Sequence, residues 1–229
     1  MKKRIGELDA LRGICILGMI YVHYVYDLIY LAGKTYPGSP LLKLMGGYGH
    51  LLFLLISGIS ATFSTSGIRR GLQVFSAGLL VSWCTLFADL ILGLQGVRIW
   101  FGILHLLGIS MLCYAFLKKM PVWGLTLTAG TVILLGGIFS QLRVSASYLF
   151  FLGLCREGMD VGSDFFPVFP NLGWFLLGAV LGRTLYSRKQ SLLPWISWEN
   201  YPQRFLCLCG RHSLLIYLLH QPVLLLFLL

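Results

Sequence analysis

Charge is scarce in this chain: only 11% of its 229 residues are Asp, Glu, Lys or Arg. A soluble domain carries about 25%, so a soluble globular fold is excluded. Acid is scarcer still, with 8 Asp and Glu against 18 Lys and Arg, for a net charge of +10. There is no basic polar domain, which excludes nucleic acid as a partner. Several chemical signatures are also missing. The sequence contains no Gly-rich phosphate loop, no H-E-x-x-H, no G-x-S-x-G and no repeated C-x-x-C. Nucleotide hydrolysis, metal and serine-hydrolase readings therefore have no support. Low-complexity tracts and internal repeats are absent, and the chain reads as one domain over 1–229.

What is abundant is apolar sequence. Hydrophobic residues make up 57% of the chain, and mean hydropathy is +0.81. The apolar runs are long enough to cross a bilayer as helices. The expected fold is an all-α, polytopic membrane bundle of about seven spans, near 8–31, 48–67, 71–94, 99–117, 120–141, 168–185 and 211–229. The basic start Met1-Lys2-Lys3-Arg4 precedes an apolar run too long and too polar for a cleaved signal peptide.

Seven crossings sort the basic residues. Lys2, Lys3, Arg4, Arg69, Arg70, Lys118, Lys119, Arg183, Arg188, Lys189, Arg204 and Arg211 share one side. Lys34, Lys43, Arg98, Arg143 and Arg156 fall on the other. The positive-inside rule puts the first set, and the N-terminus, in the cytoplasm and the C-terminus outside. Such a surface suits anionic headgroups or a phosphorylated cytosolic cofactor. Of the cysteines Cys15, Cys84, Cys113, Cys155, Cys207 and Cys209, only Cys155 falls outside, so no disulfide framework is implied. Cys207-Leu-Cys209 lacks a second pair with metal-ligand spacing, and no metal is expected.

The connections carry less information. Segment 32–47, with Gly33, Pro37, Gly38, Ser39 and Pro40, reads as turns. In the outer segment 142–167, the apolar piece Ser147 to Cys155 is too short to span and reads as interfacial or re-entrant. The inner loop 186–210 sets Trp195, Trp198 and Tyr201 beside Arg188, Lys189 and Arg204, the composition of a membrane-surface anchor. Gly178-x-x-x-Gly182 reads as helix packing.

The most informative feature is in the first span. Asp9, Arg12, His23 and Asp27 project within an arc of roughly 60° and span about 27 Å of helix. Their neighbours on the other faces are apolar. Charges facing lipid are costly, so the stripe faces protein or a wet cavity and marks a functional path. His23 and Asp27 are four apart, the spacing at which a carboxylate can orient an imidazole as a general base. Arg12, three turns away, can hold phosphate in a two-pronged way. The competing reading is a polar network that only ties helices together.

Other candidates lie elsewhere. His105, in the fourth span, falls at the depth expected of His23, and the two are candidates to line one cavity; the alternative is a hydrogen-bonded packing residue. Asp164 leads into Pro167 and Pro170 and is either a group at the outer mouth or a helix cap. His50 opens the second span at its outer end. Asp89 is embedded in the third, where it either pairs with Arg98 or a histidine or helps relay protons. His220 and Tyr217, three apart, share a face of the last span. His220 there either serves the site or bonds a backbone carbonyl freed by Pro222. Arg211 and His212, near the cytoplasmic end, suit a phosphate-bearing ligand.

Five segments, in order, carry a family resemblance. They are Leu8-Asp9-Ala10-Leu11-Arg12-Gly13 with His23 following Arg12 after ten residues, Phe53 to Ser60, Phe101 to Ser110, Asp164 to Pro170, and Gly210 to Pro222. Together they resemble the bacterial branch of the heparan-α-glucosaminide N-acetyltransferase catalytic-domain family, among the transmembrane acyltransferases. The resemblance implies a multi-pass protein of the cell membrane, in bacteria the inner one. Acetyl-CoA or another acyl-CoA would bind from the cytoplasm, and the acyl group would pass to a hydroxyl or amine, such as that of a cell-envelope sugar, on the far side. The resemblance carries over to Arg12 and His23, and with the spacing of Asp27 and the depth of His105 the catalytic candidates are His23, Asp27 and His105. Arg12, Arg211 and His212 would hold the acyl-CoA, and Asp164, His50, His220 and Tyr217 the acceptor. The arginine–ten–histidine spacing is similar to that of the related acyltransferases that modify surface glycans. In the animal lysosomal member the key histidine follows the first helix; here Gly33 to Gly49 contains none, and His50 is the loose positional match. The partners implied are the bilayer, acyl-CoA and a glycan or other small acceptor, with a homodimer left open. From another class, a stripe of His and Asp also fits a proton-coupled transporter or channel, and a non-catalytic scaffold stands as a third reading.

Overall fold

A computed structural model describes residues 5–30, 32–93, 97–142, 144–198 and 200–228. Of the positions singled out above, Met1, Lys2, Lys3, Arg4, Leu31, Leu94, Arg143 and Leu229 lie outside the described residues. The described residues form eight α-helices: α1 Gly6–Tyr30, α2 Pro40–Thr62, α3 Gly67–Leu92, α4 Ile103–Leu117, α5 Val122–Phe139, α6 Val168–Thr184, α7 Tyr201–Arg211 and α8 Ser213–Leu228. One 3-10 turn, Ser147–Leu152, lies between α5 and α6. No strand occurs among the described residues beyond an isolated bridge between Ile99 and Gly162. Helices Gly6–Tyr30, Pro40–Thr62, Gly67–Ile91 and Val122–Phe139 are long and apolar enough to cross a membrane. The other three expected spans are helices of 15, 17 and 16 residues.

Three expected boundaries are corrected. The second helix begins at Pro40, well before residue 48. Ser39 Oγ accepts the Leu42 N–H at 3.0 Å, a side-chain cap, and Pro40 supplies a helix-ready φ at the first position. The turn-like composition of 32–47 hid that start, because Gly46, Gly47 and Gly49 continue the helix. Second, the expected inner loop contains α7. Third, the fourth helix starts at Ile103 rather than 99, because Ile99 pairs with Gly162 and Gly102 is extended.

By contacts the helices fall into two compact groups, Met1–Ile56 with Leu185–Leu229, and Ser57–Thr184. In the first group α1 packs on α7 and α8. Glycine allows the approach of α1 and α7: a Cβ on Gly13 would stand 2.1 Å from the Leu206 carbonyl oxygen, and one on Gly210 1.8 Å from that of Asp9. Small residues at such a crossing let backbones touch, which in lipid replaces hydrophobic collapse as the source of affinity. Glu7, 3% exposed, ties the lead-out from α6 to α1. Its carboxylate accepts Ser191 Oγ–H at 2.6 Å and the Leu192 N–H at 2.7 Å. Burial, then the Glu7 charge, pushes the nearby Tyr186 phenol above its ordinary value.

In the second group α3 packs on α4, α5 on α6, and α4 on α6. The Gly178-x-x-x-Gly182 segment packs against the end of α2, as its spacing implies. A Cβ on Gly182 would meet Thr62 Oγ1 at 2.7 Å, and one on Gly58 would meet the Phe175 carbonyl at 2.0 Å. Phe175, Leu176, Leu106 and Leu125 are fully buried in this group.

Candidate functional site

The stripe on α1 faces protein. Asp9 and Asp27 are buried, and Arg12 and His23 are half-buried. Leu11, Ile14, Tyr24, Tyr26, Ile29 and Tyr30 on the other faces are exposed, as lipid-facing residues are. The cover over the stripe is α7 toward the start of α1 and α8 toward its end, so the four ionisable groups divide into two clusters.

The first cluster gathers Asp9, Arg12 and Arg211. Asp9 Oδ1 lies 3.1 Å from Arg12 Nη1, and Asp9 Oδ2 lies 3.3 Å from Arg211 Nε. Arg12 Nη1 also reaches the Gly210 carbonyl at 3.5 Å. Two guanidiniums thus flank one carboxylate. Glycine at 210 permits this, because it lets the end of α7 come down on α1 with Arg211 beside Asp9. His212 follows as an exposed residue at the α7–α8 break, where its own N–H bonds the Leu208 carbonyl at 3.1 Å and its φ is −102°.

The second cluster joins α1 to α8. The rings of His23 and His220 meet edge to face, with centroids 4.9 Å apart and planes at 81°. Asp27, 2% exposed, accepts a hydrogen bond from Gln221 Nε2 at 2.9 Å. The carboxylate therefore orients Gln221 rather than His23. Spacing alone suggested the pair within α1, but a buried carboxylate needs a hydrogen-bond donor, and α8 supplies it as Gln221 Nε2. Gln221 was missed; its signal was a polar residue before Pro222 in an otherwise apolar run. His220 Nδ1–H donates to the Tyr217 carbonyl, one turn back, and the Tyr217 ring lies 5.4 Å from the His220 ring. His220 is 9% exposed, and its Nε2 is buried without a hydrogen-bond partner among the described residues.

His105 and Asp164 come together in the second group of helices, around Gly102. The Gly102 N–H donates to His105 Nδ1 at 3.2 Å, which caps the start of α4 from its own third residue. With Nδ1 accepting, Nε2 carries the proton and points at Ser82 Oγ, 3.5 Å away. Ser82 spends its own proton on the Ile99 carbonyl at 2.6 Å. The ring stacks on Phe101 at 5.3 Å and meets Phe75 edge-on at 5.5 Å. Both nitrogens of His105 are thus engaged, and the residue is 3% exposed. The Asp164 carboxylate lies against the same helix start, 3.0 Å from where a Gly102 Cβ would stand, and Asp164 adopts φ 51°. A carboxylate there complements the helix dipole. Asp89 pairs with Arg98, one of the two partners its position suggested.

His50 is displaced from its expected place. The early start of α2 puts it ten residues in from Pro40, half-buried along the helix rather than at its first residues.

Apolar helices, with ionisable groups turned inward from the first of them, define a polytopic membrane protein with a polar site inside its helix packing. Residues 4–222 match the family model described as "Heparan-alpha-glucosaminide N-acetyltransferase, catalytic", nearly the whole chain, and the protein belongs to that family. It matches no curated protein and no solved structure. Family membership makes it a membrane acyltransferase.

Proposed function

We propose that the protein takes an acyl group, acetyl by the description of its family, from acyl-CoA on the cytoplasmic side and delivers it to a hydroxyl or amine on the outer side, a cell-envelope sugar being the acceptor class. In this reading the N-terminus is cytoplasmic, the C-terminus is outside and seven helices cross the membrane. The basic cluster of Arg12 and Arg211, with His212 beside it, holds the CoA phosphates. The reaction takes place at His23 and His220, and Asp27, fixed by Gln221, completes that polar pocket of α1 and α8.

The observation that carries this reading is the division of one inward stripe into two clusters. On α1, His23 lies eleven positions beyond Arg12, or about 16 Å of helix. A cationic site at one end and an imidazole pair at the other suit a ligand with phosphates at its head and a reactive thioester at the end of a long arm. The proton-relay alternative gains nothing comparable, because Asp27 bonds Gln221 and the pair of arginines is not needed to move protons.

The test uses radiolabelled acetyl-CoA supplied to the cytoplasmic face of membrane vesicles. Transfer of label into an outer-face product is expected, and CoA is expected to raise the unfolding temperature of the purified protein. Loss of both rings, in His23→Ala combined with His220→Gln, should abolish transfer while leaving CoA binding. Full-rate transfer by that double variant ends the assignment of the reaction to the histidine pair. Proton-linked uptake without CoA binding ends the acyltransferase reading.

A further inference from the structure

We propose that His220, rather than His23, is the proton acceptor of the transfer, with its free Nε2 held ready by the Tyr217 carbonyl; this rests on the acyltransferase reading above. A carbonyl oxygen can only accept, so the nitrogen bonded to it must carry the ring proton. That nitrogen is Nδ1. In the neutral ring the other nitrogen, Nε2, is then a lone pair, the form a general base requires. Nε2 makes no hydrogen bond among the described residues and is buried, in a side chain 9% exposed. A buried polar atom without a partner is uncommon in folded proteins and calls for an explanation.

The three histidines nearest the question differ in a way that selects one. His105 has both nitrogens engaged, Nδ1 with Gly102 and Nε2 toward Ser82. His23 makes no hydrogen bond among the described residues, so nothing fixes its tautomer, and it is half-exposed against the His220 ring. Only His220 combines a fixed tautomer with an unused basic nitrogen.

The step balances with these groups. As the acceptor oxygen or nitrogen attacks the thioester carbonyl carbon, its proton passes to His220 Nε2. The new C–O or C–N bond forms and the C–S bond breaks, with its electron pair going to sulfur. The CoA thiolate then recovers the proton from Nε2–H. The products are acylated acceptor and CoA thiol, and His220 returns to its starting tautomer. Tyr217 acts here as a positioning residue through its backbone.

Two measurements test this. In detergent-solubilised protein labelled with 15N-histidine, the His220 signal, identified by its loss in His220→Gln, is expected to show the proton on Nδ1. A proton on Nε2 overturns the proposal whatever the activity. In the vesicle assay, His220→Gln should lower kcat by about 100- to 10,000-fold, with the KM for acetyl-CoA and the CoA-induced thermal shift unchanged. If that variant fails to fold, His220→Asn takes its place. Wild-type transfer with an unaffected His220 variant defeats this assignment alone. Failure of the wild-type protein to bind CoA or transfer acetyl defeats both it and the acyltransferase reading.

Discussion

Two residues chosen from sequence as site groups separate sharply once their hydrogen bonds are drawn. His105 holds the start of α4 by accepting the Gly102 N–H. Loss of a helix cap costs about 0.5–2 kcal/mol, so His105→Ala should lower the unfolding temperature in detergent. Glutamine at the third helical position can accept the same N–H, and His105→Gln should recover both stability and transfer. A folded His105→Gln protein without transfer would instead return His105 to the chemistry. Asp27 makes the complementary case. Its buried carboxylate depends on Gln221, and stranding a buried polar group costs about 1–3 kcal/mol. Gln221→Leu should therefore destabilise the protein. Asp27→Leu with Gln221→Leu should recover much of that loss, and the coupling is read from a double-mutant cycle of thermal unfolding. Additive losses would show that the bond contributes nothing. At this scale the sequence was informative about residue types and faces: Asp9, Arg12, His23 and Asp27 do look inward. It could not reveal partners that come from more than 180 residues away, and so it paired Asp27 with His23 and overlooked Gln221.

Among the elements, long apolar runs were legible because a 20-residue run leaves little choice of structure in a membrane. Helix starts were less so. Ser39-Pro40 is a good start signal, but three glycines after it resembled a loop, although nothing lies within 4 Å of where a Cβ on Gly46, Gly47 or Gly49 would be. Helix α7 was hidden for the opposite reason: it is short and partly polar, and its surface aromatics suggested an anchor. Trp195 and Tyr201 are exposed, but Trp198 is half-buried against Gly6 of α1, and Cys207, Cys209 and Gly210 are buried. The glycines of the α1–α7 crossing give an element-scale prediction. Gly210→Val would drive a side chain into the Asp9 backbone, and overpacking of this kind costs about 1–3 kcal/mol. The variant should lose thermal stability and bind CoA more weakly, because Arg211 moves with the backbone. Gly130→Ala in α5 is the matched control. Its new Cβ meets nothing within 4 Å, and the helix should gain about 0.5–1 kcal/mol. Equal effects of the two substitutions would mean that the crossing does not depend on its glycine.

For the molecule as a whole, the proposed orientation, N-terminus cytoplasmic, rests on where the cations sit. Twelve of the 18 basic residues fall on one side of the seven-crossing arrangement, and a lysine or arginine resists translocation far more than an acid does. That orientation leaves Cys155 as the only cysteine on the outer side, in the half-exposed stretch after the 3-10 turn. Cys15, Cys207 and Cys209 are buried, and Cys84 and Cys113 lie within helices α3 and α4. A membrane-impermeant maleimide applied to intact cells should therefore label the protein once, and Cys155→Ser should remove the label. Labelling that appears only after permeabilisation would invert the molecule. The Arg12–Arg211 cluster would then face away from the cytosolic CoA pool, and no rearrangement of the histidine pair would rescue the proposed direction of transfer. The thiol experiment thus bears on the function through the membrane alone, independently of any single catalytic group.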